Sequence, residues 1–142
     1  MNPAFSVIFL TTLIGAGQGL FFALYAAELA GRATPGFLAL GAAVALTLTA
    51  LGLIASFFHL GHPERAWRSA AMWRTSWLSR EVIALPAFMC AVLAYGYAHG
   101  AGNETAAAWI AAAGVALCFA LYVCTAMIYA CLRFLQEWHT AW

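Results

Sequence analysis

Four apolar stretches, each long enough to cross a lipid bilayer, decide what this chain can fold into. They cover approximately residues 5–29, 36–58, 81–98 and 105–134. A helix that crosses a membrane needs about 20 mainly apolar residues. Charged residues make up only 8% of the 142-residue chain, against roughly 25% in a soluble domain. With 65% hydrophobic residues and a mean hydropathy of +0.88, most of the surface must face lipid. The expected fold is an all-α integral membrane protein: one membrane domain over residues 1–142, with four transmembrane helices in an up-down bundle.

The same composition excludes other classes. A net charge of +1 offers no electrostatic case for nucleic acid, and the absence of lysine argues against a polybasic lipid-surface anchor. Cys90, Cys118, Cys124 and Cys131 lie in apolar stretches without a CxxC pair and read as packing residues. The opening MNPAFSVIFLTTL lacks a basic leader region, so it reads as a first span that is kept.

Within the first span, Gly15 and Gly19 are four residues apart and are expected to form the face on which another helix approaches. Gln18 is expected at mid-depth and needs a hydrogen-bond partner there, either from a neighbouring helix or from a ligand. Gly31 and Pro35 mark the end of one helix and the start of the next. Ser76 or Ser79 would cap the third span, placing Glu81 in its first turn, and Asn103 or Thr105 would cap the fourth.

The ionisable residues concentrate in one place. SFFHLGHPERAWRSAAMWRTSWLSRE, residues 56–81, holds Arg65, Arg68, Arg74 and Arg80, together with His59, His62, Glu64 and Glu81. The connector proper is 59–80. His62-Pro63-Glu64 looks like the start of a short helix, and Trp67, Trp73 and Trp77 suit a membrane-interface belt. His59 at the end of one span and Glu81 at the start of the next fall at one membrane level. A histidine and a carboxylate at the edge of lipid fit a lipid-soluble carrier that exchanges protons, such as a quinol. The plainer readings are that Glu81 answers the helix dipole or pairs with Arg80 or Arg74, and that His59 caps carbonyls. The four histidines at span ends do not suit axial haem ligation, and no His/Cys set has zinc spacing, so neither haem nor metal is expected. The arginines with interleaved Trp73 and Trp77 suit either docking of a soluble partner or positive-inside anchoring.

Four spans place both termini and the connector on one side. That side carries Arg65, Arg68, Arg74, Arg80 and Arg133, and the other carries Arg32. The expectation is that the termini and the 59–80 connector are cytoplasmic, in a bacterial inner membrane.

The same connector, with PAFSVIFLTTLIGAGQGLF before it and MIYACLRFLQEWHT after it, strongly resembles the membrane anchor subunits of dimethyl sulfoxide reductase and of related complexes, sulfite dehydrogenases among them. The resemblance implies an anchor that holds a molybdopterin catalytic subunit and an iron–sulfur subunit on the membrane. It also implies electron exchange with a ubiquinone or menaquinone pool, without haem. His59 and Glu81 then take the family's quinol-binding positions, and Arg65, Arg68, Arg74, Arg80, Trp73 and Trp77 support the site or dock the iron–sulfur partner. Family anchors carry roughly twice as many spans, so the resemblance is to their N-terminal half, and the missing C-terminal half or a second copy is an expected partner. A purely structural anchor and a small four-span transporter are the alternatives. A transporter requires an ionisable residue at mid-bilayer, where the sequence offers only Gln18.

Overall fold

The computed structural model describes residues 5–58 and 63–131. It contains four long α-helices: α1 (Phe5–Leu29), α2 (Pro35–Phe57), α3 (Trp77–Gly100) and α4 (Glu104–Ala130). A 3-10 helix, Pro63–Met72, lies in the connector between α2 and α3. All four α-helices are long and apolar enough to span a membrane. At 1.5 Å per residue, even the 23 residues of α2 reach roughly 35 Å, beyond the hydrocarbon thickness of about 30 Å.

Local chemistry fixes the helix ends. Thr34 caps α2 by accepting from the Phe37 amide at 3.3 Å, with Pro35 in the first helical position, where its missing N–H costs nothing. Gly31 ends the preceding turn at φ +63°, a left-handed conformation that glycine adopts without strain. Asn103 caps α4 through the Ala106 amide at 3.0 Å. Ser76 caps α3, so that helix begins at Trp77, one turn before the expected start at Glu81. Glu81 therefore sits in the second turn, where the helix dipole is a weaker reason for an acid. The expected end of the fourth span at Phe134 and the arginine at 133 lie outside the described residues.

Helices adjacent in sequence pair side by side: α1 with α2, α2 with α3, α3 with α4. Between α1 and α4 the backbones lie further apart, and the gap is spanned by Phe22 against Phe119 and Tyr122. The core centres on Phe21 of α1, which is fully buried. Its ring meets Phe88 and Tyr95 of α3 edge-on, with centroids 5.6 and 5.4 Å away. Its far edge rests on α4, where a Cβ added at Gly114 would lie 2.6 Å from the ring. One side chain thus holds three helices in register.

Close approach of α1 to α2 falls at Gly17. A Cβ there would meet Thr49 Cγ2 at 2.8 Å and the Ala45 carbonyl at 2.9 Å. Gly15 and Gly19, the expected packing pair, are exposed and face open space. The reason is rotational: α1 buries Ile14, Gly17, Gln18, Phe21 and Leu24, a stripe that passes between the two outer glycines. Gly17→Ala and Gly114→Ala are expected to destabilise the bundle by about 1–3 kcal/mol each. Gly15→Ala should be neutral or slightly stabilising, and thermal unfolding of the detergent-solubilised protein checks the contrast.

Candidate functional site

The connector folds back onto the start of α3. The amides of Thr75 and Ser76 both donate to the Met72 carbonyl, at 3.1 and 2.9 Å, turning the chain at the end of the 3-10 helix. Arg80 fastens this turn: Nε donates to the Trp73 carbonyl and Nη2 to the Arg74 carbonyl, both at 2.9 Å. Its guanidinium lies 4.1 Å over the Trp77 ring, a cation–π contact. Arg74 stacks more loosely over Trp73 at 5.3 Å. Arg80 is therefore built into the connector turn, whereas Arg68, Arg74 and Trp73 are exposed on the connector surface. Arg65 is exposed and engaged in an interaction of its own.

This arrangement leaves Glu81 without a cationic partner among the described residues. Neither Arg80 nor Arg74 pairs with it, because Arg80 has committed its donors to backbone carbonyls. The half-buried Glu81 carboxylate instead accepts a hydrogen bond from Thr125 Oγ1 of α4 at 3.0 Å. Pro86 lies inside α3 and has no N–H to offer the carbonyl of Val82. A carboxylate and a backbone acceptor lacking its helical donor thus belong to neighbouring residues. His59, the other expected site residue, lies outside the described residues.

A second polar cluster occupies the opposite end of the bundle. The Tyr95 hydroxyl donates to Glu28 Oε2 at 2.8 Å, and His99 Nε2 lies 3.3 Å from Glu28 Oε1. The His99 contact lies off the line of a hydrogen bond, and Nδ1 has no partner, although the side chain is only 3% exposed. The Tyr95 and His99 rings meet edge-on at 4.5 Å. The cluster ties the end of α1 to the end of α3 across the bundle. Sequence reasoning placed His99 in a turn and passed over Glu28. The available signal was an acid and a histidine that close two spans running in the same direction.

Comparison with known proteins agrees with this frame. The profile of the family described as DMSO reductase anchor subunit (DmsC) matches residues 1–142. The chain belongs to this anchor subunit family. A sulfite dehydrogenase subunit of Allochromatium vinosum is 56% identical over 158 aligned positions, which cover 99% of this chain and 49% of that protein. The chain thus spans about half the length of the curated relative it matches. No solved structure matches it.

In this anchor subunit, the residues expected from sequence separate into those built into the fold and those presented outward. Trp77 and Arg80 form one stacked unit under the connector, and Glu81 turns inward to α4. Thr125, which holds Glu81, carried no sequence signal, because a threonine in an apolar helix ordinarily bonds to its own backbone. Thr47 and Thr49 do this, donating to the Ala43 and Ala45 carbonyls at 2.8 Å. The four cysteines are free thiols.

Truncating His99 removes a buried ring that packs against Tyr95 and lies beside Glu28, leaving a cavity at the end of α3. His99→Ala is expected to lower stability by about 2–4 kcal/mol. The double variant Glu28→Gln/His99→Leu should recover part of that loss, as measured by thermal unfolding of the purified complex.

Proposed function

We propose that this anchor subunit takes part in quinone chemistry, with Glu81 as the group that exchanges a proton with the quinone or quinol head. The observation that carries the reading is the Thr125–Glu81 hydrogen bond. It holds a carboxylate inward, at the membrane end of a span, without a fixed counter-cation. A proton donor or acceptor at the edge of lipid needs a defined position and freedom from a permanent ion pair. The hydroxyl of Thr125 gives the first, and the diversion of Arg80 to the Trp73 and Arg74 carbonyls gives the second.

His59 joins this reading through its family position, as donor to the second ring oxygen. The likeness to the sulfite dehydrogenase relative supports a molybdopterin partner that oxidises sulfite, with electrons passing through an iron–sulfur subunit to the quinone. The sum is sulfite plus water plus quinone giving sulfate plus quinol, with two electrons and two protons transferred. Glu81 then supplies one proton to the ring oxygen and is recharged from the aqueous side. The exposed Arg68, Arg74 and Trp73 offer a charged, aromatic docking face to the iron–sulfur partner. The arginine count supports a cytoplasmic connector in the inner membrane. Reporter fusions after Arg32 and after Arg68 test the sidedness, and a periplasmic signal from the Arg68 fusion would reverse it.

Glu81→Gln in the intact complex is expected to reduce quinone-dependent turnover by about 10²-fold or more. Sulfite oxidation with a soluble artificial acceptor, and membrane assembly, should be unchanged. Thr125→Val should give a smaller loss, about tenfold, from a carboxylate no longer held in place. Wild-type quinone kinetics in Glu81→Gln would reduce the subunit to a structural anchor.

A further inference from the structure

α2 and α3 pack side by side, and at Gly96 their approach is tight. A Cβ there would lie 3.1 Å from the Ala42 side chain and 3.6 Å from the Ala39 carbonyl. Beside this contact, on the outside of the bundle, lies a cleft of about 260 Å³. Ala39, Ala42 and Gly96 form its base, and Ala43 of α2 faces Leu93 and Tyr97 of α3 across its mouth. Leu93 is 60% exposed and Tyr97 76% exposed, so the cleft opens toward lipid and not into the core. It is also separate from the Glu81 site. Leu93 lies 12 residues beyond Glu81 on α3, about 18 Å along the axis.

The lining decides what fits. No charged residue lines the cleft, so it has nothing to hold an ion or a headgroup. In hydrocarbon, a protein segment that seats against another must satisfy its own backbone, which leaves a helix. Helices in lipid associate through packing contact, so they gain most where small side chains let the backbones come close. Ala39 and Ala43 are four residues apart and share a face of α2, and Gly96 lies beside them on α3. Leu93 and Tyr97 would flank the incoming helix without holding it away. A lipid acyl chain gains nothing from such close backbone approach.

Chain length indicates whose helix this is. The aligned positions are 99% of this chain but 49% of the sulfite dehydrogenase subunit, so that relative contains a second half beyond the region corresponding to this bundle. In an assembled anchor, that half must sit beside the first. We propose that the α2–α3 cleft is the seat of a transmembrane helix from the other half of the anchor, which inserts a large apolar side chain between Ala43 and Leu93. The proposal does not depend on the quinone reading of Glu81.

The test places a photoreactive benzophenone amino acid at Leu93 and, separately, at Tyr97, in the full chain in its native membranes. Cross-linked peptides are then identified by mass spectrometry. The expected partner peptide aligns with the part of the sulfite dehydrogenase relative outside the matched region. Ala43→Phe, which fills the cleft, should lower the cross-link yield about tenfold. Ala43→Leu replaces it if that variant does not assemble. Val123→Phe, at an outward position on α4, should leave the yield unchanged. Cross-links to lipid alone, to residues 1–142 of a second copy or to any other membrane protein overturn the proposal, as does the absence of any cross-link. It is also overturned if filling the cleft leaves the yield unchanged, or if Val123→Phe lowers it equally.

Discussion

Between helices in lipid there is no hydrophobic drive to associate, because the surrounding hydrocarbon is as apolar as the helix surfaces. Everything else in this bundle depends on how closely its helices can approach. Phe21 shows how that approach is made. Its ring fills the space between α1 and α3 and reaches α4 only because position 114 has no side chain. Gly17 does the same for α1 against the Thr49 turn of α2. Dispersion contacts of this kind are individually small, and a single methyl group at such a position removes many at once. The dry centre they create also divides the molecule. Glu81 and His99 stand 18 residues apart on α3, about 27 Å at 1.5 Å per residue, with Phe88 and Val92 buried between them. The two polar clusters therefore act at opposite membrane faces rather than as one chain of proton carriers.

Polar groups in such a bundle must find partners within the protein, and their choice of partner sets their chemistry. Arg80 is adjacent to Glu81 in sequence, yet its donors close the connector turn and its face covers Trp77. The far cluster follows the opposite pattern: Glu28 is engaged at both oxygens, by Tyr95 and His99, and bridges two helices. One carboxylate is committed to holding helices together, and the other is held by a neutral hydroxyl and remains available.

The fold was legible because lipid imposes a simple rule on length and polarity, and the caps at Thr34, Ser76 and Asn103 announce themselves by residue type. Glu81 also stood out, as an acid at the edge of an apolar run. The partners were not legible. Which glycine carries the close approach depends on the rotation of α1 about its axis, and nearly every face of that helix is apolar, so Gly15 and Gly19 looked as suitable as Gly17. The Thr125–Glu81 and Glu28–His99 contacts join residues 44 and 71 positions apart, and only the register between helices determines them.

That register explains why a threonine rather than an arginine suits the position opposite Glu81. A guanidinium would form two parallel hydrogen bonds to the carboxylate and fix its charge. The carboxylate would then resist both taking and giving a proton. The Thr125 hydroxyl accepts as well as donates, so it can stay bonded to Glu81 whether or not the acid carries a proton. A donor that serves both states holds the geometry constant whether or not the carboxylate carries a proton, which is what the proposed quinone role asks of this position.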